Sequence, residues 1–383
     1  MPLKFTVKKT LFSIIPFSFF YFIKKKISVD YLIFGKAKGS AGRYLVNDTK
    51  TEFTLYGMEK ELGSEVVRGF EDCYKTYVSR RGLLRKYILE VNDCIIEPEY
   101  GWGIIANDNS LVFDSISNNA WIETYHPSYF RYKKNKLHTI KYPQLVSINI
   151  LKGGENNYWH FLHDLLGEVV MAKKVLPGQI PFLISKTLAE KPFFKSALLQ
   201  SSYLAQCTWI IRDEKYIEAG KAYFIQTMPN DNEQFFDVRN MLEVKESNKE
   251  KQRKIFLTRN KSRIRFVNNK AEIEEIARQY GFEIVDADNL SLQQQIELFG
   301  ETRYLVGIHG AGLTNVLFRR NAPLHLLELL PKDYLQPHYF WISKGMGHSY
   351  SCLVGSRSLY DTSFYVEPKK FEEKLAQVLD SGI

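Results

Sequence analysis

Residues 303–320 read RYLVGIHGAGLTNVLFRR. Its first six residues suit a short buried strand, and from Leu313 onward apolar residues return at helical spacing. Between them lies a small, polar joint, His309-Gly310-Ala311-Gly312. A strand that hands over to a helix in this way belongs to a parallel sheet covered by helices. Ligands of such sheets bind beyond the carboxyl ends of the strands, so the joint is also the first place to look for chemistry. His309 would stand at the strand tip and could donate to a phosphate oxygen. Gly310 and Gly312 are expected to take positive φ and let the backbone approach a ligand. The run Gly310, Ala311, Gly312, Leu313, Thr314 and Asn315 then offers helix N-terminal N–H groups and a positive dipole end to a phosphate. Thr314 and Asn315 could add side-chain donors or simply cap the helix.

The surrounding order supports that fold. KIFLTR (254–259) reads as a strand. NKAEIEEIARQY (269–280) reads as a helix with Asn269 able to cap it and Gly281 as its stop. FEIVD is the next strand, and SLQQQIELFGET (291–302) opens with a Ser-x-x-Gln capping box. RYLVGI, LTNVLFRR and LHLLELL complete a β-α-β-α-β-α-β alternation, the pattern of a Rossmann-like domain over 254–360. A terminal amphipathic helix is expected within 361–383.

Two further features fall on the expected ligand edge. Glu328, near the end of the fourth strand, is placed for ribose hydroxyls, as the acid of dinucleotide folds is. The loop TRNKSRIR brings Arg259, Arg263 and Arg265 to the tip of the first strand, where guanidiniums could neutralise a diphosphate without a metal. The glycine pair is not a G-x-G-x-x-G, since Asn315 stands third and the joint follows the third strand. That departure, with no glycine turn after the first strand, disfavours an NAD(P)-dependent oxidoreductase.

The first half carries a second constellation. In GGENNYWHFLHDLLGEVVMAKKV (153–175), helical spacing puts Leu162, Leu165, Leu166, Val169 and Val170 on one face and His160, His163, Asp164 and Gly167 on the other. His160 and Asp164, one turn apart, can hydrogen-bond so that the acid orients an imidazole able to take a proton from a hydroxyl. A structural His–Asp pair and an i, i+4 metal pair are the alternatives; no third ligand is evident, and no metal is expected. Polar 229–253 reads as a linker between an N-terminal domain, 1–228, and the parallel one.

The net charge of +9 fits an anionic partner, although no aromatic-basic motif supports nucleic acid. Four widely spaced cysteines argue against a disulfide scaffold and a zinc ribbon. LFSIIPFSFFYFI (11–23), flanked by lysines, is too short to span a bilayer and suits either an anionic membrane surface or a buried first element.

Together the two constellations resemble glycosyltransferase family 61, of the bacterial type. The family's aromatic-aromatic-His-(Trp/Phe)-x-x-Asp motif reads YWHFLHD (158–164) here, its Ser/Thr-Arg-x-x-x-Arg loop TRNKSRIRFVNN (258–269), its helix glutamine is Gln295, and HGAGLTNVLF (309–318) is followed by LELLP. Phe161, Asn269 and the pair Gly167-Glu168 depart from the usual residues, the last two near the expected acceptor side. The resemblance implies a GT-B-like pair of Rossmann-like domains facing across a cleft, and inverting transfer from a nucleotide sugar, UDP-linked, bound by the C-terminal domain. The acceptor would be a glycan or lipid-linked glycan in capsule or lipopolysaccharide synthesis, and the protein cytoplasmic, peripheral on the inner membrane face. His160 is the first choice for the base, Asp164 the second and His163 the third. A non-catalytic nucleotide-binding homologue at the membrane is the alternative.

Overall fold

The computed structural model describes residues 35–38, 42–49, 59–81, 85–107, 110–116, 139–148, 154–213, 215–228, 231–259 and 264–381. The basic aromatic segment 11–23 and Arg263 lie outside the described residues. The chain folds around two sheets. The first contains β1 (Gly35–Lys38), β2 (Arg43–Thr49), β3 (Arg85–Ile96), β4 (Gly103–Ile105), β5 (Ser110–Val112), β6 (Ile140–Ser147), β7 (Phe182–Ser185), β8 (Trp209–Arg212) and β9 (Ile217–Gln226). Their order is β1-β5-β4-β3-β9-β6-β7-β8, with β2 against β3.

This sheet is mixed, and here the structure differs from the expectation of a second Rossmann-like unit. β6, β7 and β8 run parallel, as strands joined through helices should. β9 is parallel to β6 but antiparallel to β3, which is in turn antiparallel to β2 and β4. Half of the sheet is thus a parallel α/β unit extended by antiparallel strands. The 12-residue β3 supplies the seam and buries residues in unbroken runs, so it shows no simple alternation that would have flagged its pairing.

The second sheet contains β10 (Arg253–Leu257), β11 (Glu283–Val285), β12 (Thr302–Ile308), β13 (His325–Leu330) and β14 (Ser349–Val354) in the order β11-β10-β12-β13-β14, all parallel. The four expected strands are present, and a fifth, SYSCLV, follows them. Helices Lys270–Gln279 and Pro368–Asp380 cover one face, where Phe371 meets Phe256 at 6.3 Å between ring centroids. Helices Leu292–Gly300 and His338–Gly345, with the turn Ala311–Phe318, cover the other. The expected capping box of Ser291 and Gln294 is formed. Asn269 does not cap its helix; its amide instead donates to the Val366 carbonyl at 2.8 Å and accepts from Val366 N at 3.2 Å, tying down the approach to the last helix.

The stretch read as a linker holds a helix, Asn232–Met241, that Asp231 caps through Gln234 N. Phe235, Val238 and Met241, three residues apart, are buried within one apolar cluster that runs from helix Ser64–Arg81 and the 158–175 helix to β10, β12 and helix His338–Gly345. Residues 232–244 thus belong to the packed interior between the sheets, because an apolar stripe lies hidden among their polar neighbours. No helix among the described residues is long and apolar enough to cross a membrane.

Candidate functional site

The first constellation sits in the helix that follows β6. Asn157 opens this helix by accepting from Trp159 N at 2.9 Å. Across Phe161–Leu165 the turn widens to i→i+5 bonding, with Leu166 N–H reaching Phe161 O. Such wide turns are rare and often mark functional positions. The His163 carbonyl is bonded by Gln234 Nε2 at 2.7 Å. That contact needs glycine at position 167, where a Cβ would lie 2.3 Å from the same Nε2.

Both histidines converge on one carboxylate. His160 Nδ1 lies 2.6 Å from Asp164 Oδ2 and His163 Nδ1 lies 2.5 Å from Asp164 Oδ1. His163 Nε2 faces the Met228 carbonyl at 3.2 Å, which can only accept, so that nitrogen carries a proton. Burial alone would raise the Asp164 carboxyl, but His160 and His163, through charge and hydrogen bonds, hold it well below the usual range. Asp164 is therefore a carboxylate occupied on both oxygens. His163 is 3% exposed and engaged at both nitrogens, whereas His160 is 28% exposed and, among the described residues, held through Nδ1. A carboxylate on Nδ1 fixes the Nδ1–H tautomer and leaves the Nε2 lone pair as a base. Of the three expected candidates, His160 alone has the geometry for that task.

The second constellation lies at the switch point of the parallel sheet, between β10 and β12, where strand order reverses. Arg259 leaves the end of β10 and donates from Nη1 to the His309 carbonyl at 2.9 Å. Gly310 has φ 170° and is extended, and Gly312 likewise lacks positive φ, contrary to expectation. The need for glycine at 310 is space: a Cβ there would stand 1.6 Å from Arg259 Nη1. Arg265 reaches the same edge from a backbone at φ 61°, with its guanidinium 4.5 Å from the Tyr334 ring centroid.

Glu328 is not where a ribose ligand would be. It lies inside β13, fully buried, beside Gly307 and Cys352 of the flanking strands. Its Oε1 is 2.5 Å from His309 Nδ1 and its Oε2 accepts from Tyr350 Oη at 2.5 Å. Burial pushes the Glu328 carboxyl up to about 8, only partly countered by Tyr350 and Arg265. Burial, then Arg265 and Arg259, push the His309 imidazole well down. Charge is disfavoured on both, so near neutrality Glu328 donates to Nδ1 and the imidazole proton sits on Nε2. Glu328 thus makes His309 a neutral N–H donor.

Of the remaining residues of the joint, the Leu313, Thr314 and Asn315 side chains are engaged within the protein. The turn Ala311–Phe318 is a 3-10 helix, and Leu313 is part of the core. Thr314 Oγ1 donates to the Ala311 carbonyl at 2.7 Å. Asn315 is buried; its Nδ2 donates to Gln295 Oε1 at 2.7 Å and its Oδ1 accepts from Tyr158 Oη at 3.0 Å. This link ties the first constellation to the second.

Ring contacts form a further link, through His338, a residue that no sequence signal marks beyond the aromatic run PHYFW. His338 stacks on the Trp159 indole at 5.0 Å, and His163 stacks on the same indole at 4.9 Å. The His338 and His309 centroids are 6.3 Å apart. Among the described residues, no group of three His, Cys, Asp or Glu side chains is arranged to hold a metal ion.

Residues 158–324 match the family described as Glycosyltransferase 61. The matched stretch begins at the helix bearing His160, takes in the Arg259 and His309 edge, and ends at the threshold of β13. No curated relative matches the chain.

Proposed function

We propose, since residues 158–324 match the Glycosyltransferase 61 family, that the chain transfers a sugar with inversion from a UDP-sugar to a hydroxyl of a glycan or lipid-linked glycan. The observation that carries this reading is the pairing of an oriented base with a cationic, N–H-rich strand edge. His160 Nε2 takes the proton of the acceptor hydroxyl. The oxygen then attacks the anomeric carbon in line with the departing diphosphate, so one C–O bond forms as the other breaks. Charge developing on the UDP oxygens is met by Arg259, Arg265 and His309 Nε2–H. Arg263, which belongs to the same stretch of sequence, is assigned the same task. Asp164 orients His160 and lowers the cost of the imidazolium that forms.

A GT-B-like arrangement, with the acceptor side built on the first sheet, accommodates these roles, and no metal is called for. The protein would act in capsule or lipopolysaccharide assembly at the cytoplasmic membrane face, with the basic aromatic N-terminus at the anionic lipid surface. The test is paired. His160→Gln and Asp164→Asn are expected to abolish transfer and to leave UDP affinity within about twofold, because neither residue touches the nucleotide. Loss of UDP binding in both variants would move them off the acceptor side. UDP binding by the wild-type protein without turnover on any acceptor would make it a non-catalytic homologue.

A further inference from the structure

We infer that His338 is a positioning residue for the acceptor base, acting through Trp159; the inference rests on the proposed role of His160. Trp159 is the immediate neighbour of His160 in the first turn of its helix, and two imidazoles stack on its indole. His163 stacks on it at an interplanar angle of 6° and His338 at 25°, while Tyr339 meets it edge-on at 5.5 Å. His163 is itself fixed, through Met228 O at Nε2 and Asp164 at Nδ1. The stack His163–Trp159–His338 therefore clamps the turn on which His160 and Asp164 meet.

His338 is supplied by the other sheet. It opens the helix His338–Gly345 in the connection between β13 and β14, beside the His309 ring. The clamp thus sets the position of His160 relative to the nucleotide edge, a distance that transfer requires to be held closely. Burial and the neighbouring His309, His163 and His160 push the His338 imidazole well down, in keeping with a neutral ring that serves by shape.

The test uses His338→Ala, which removes one of the two rings stacked on the indole, and His338→Phe, which keeps a flat ring there. In His338→Ala we expect kcat to fall about ten- to a hundredfold, as for a slightly misplaced catalytic group, with UDP affinity within about threefold of wild type. His338→Phe should recover most of that loss. In the unliganded protein, the ring-nitrogen NMR signals of His160 and His163 should move in His338→Ala and return in His338→Phe. Unmoved ring signals in His338→Ala, or a kcat equal to wild type, would overturn the inference. So would a Phe variant as impaired as the Ala variant. The NMR comparison needs neither donor nor turnover, so failure of the glycosyltransferase reading would show separately, as absent UDP binding in the wild-type protein.

Discussion

Glu328→Gln separates the role read from the sequence from the role read from the structure. An acid that holds ribose hydroxyls would lose affinity on amidation at every pH. An acid that fixes a tautomer behaves otherwise. In Glu328→Gln the new amide N–H₂ can donate to His309 Nδ1 while the amide oxygen accepts from Tyr350, reproducing the protonated carboxyl at any pH. In the wild-type protein Glu328 loses its proton as pH rises through about 8. Nδ1 must then carry the imidazole proton, and Nε2 turns a lone pair toward the diphosphate. Exchanging one charge-assisted N–H bond for an acceptor facing an anion should cost about 1.5–3 kcal/mol, or about ten- to a hundredfold in affinity. Calorimetric titration with UDP from about pH 7, where its phosphates are mostly ionised, to about pH 9 should show that fall in the wild type and a flat response in Glu328→Gln. A parallel fall in both proteins would refute the tautomer argument. Uniform weakening of Glu328→Gln would restore the ribose role.

The remaining predictions concern the arginine seat and stability. Gly310→Ala should displace Arg259 from the His309 carbonyl and weaken UDP binding about as much as Arg259→Ala, roughly tenfold; the double variant should be little worse than either, and additive losses would show that the two residues act separately. The contribution of Glu328 to native-state stability should decline as pH rises from about 4.5 to about 8, because Glu328 holds its proton in the fold and not in the unfolded chain, with a ceiling of about 5 kcal/mol. Thermal melting should therefore show Glu328→Gln gaining on the wild type across that window, and equal slopes would refute the buried neutral carboxyl. On the acid side, burial lowers His325 and His348 to about 4; stability present above about pH 6.5 should be lost as pH falls through about 4, less steeply in His348→Asn.

The parallel sheet was legible because its elements are short, strongly periodic and capped by local chemistry, as Ser291 and Gln294 illustrate. The first sheet was not, since the pairing of β3 with β9 joins residues far apart in the chain through a strand without alternation. Helical spacing placed His160 one turn before Asp164, because i, i+4 neighbours are a local property; the adjacent His163 reaches the same carboxylate within the widened turn, which spacing does not indicate. The glycine at 310 and the carboxyl at 328 were found for reasons that the structure replaces. Sequence indicates that a glycine is needed, but not whether the need is for φ or for room beside Arg259. It indicates an acid near a strand end, but not that Glu328 lies two residues inside that end with Tyr350 of a further strand upon it. His338 escaped notice because its meaning lies wholly in what it touches.

These contacts bear on why two distant motifs must be read as one unit. On the proposed reading, a base for glycosyl transfer is useful only at a set distance from the anomeric carbon, and here His160 lies on a helix that follows β6 of the first sheet while Arg259 and His309 lie at the edge of the second. Two links span the gap: Tyr158 to Asn315 and Gln295 by hydrogen bonds, and Trp159 to His338 by stacking. Tyr158 and Trp159 directly precede His160, so each link acts on the turn that carries the base. The Asn315 side chain, though it lies in the glycine joint, serves this purpose: buried and bonded on both sides, its amide makes the spacing rigid. The aromatic pair before the histidine and the asparagine after the glycines are, on this reading, two ends of one strut, and each would lose its purpose without the other.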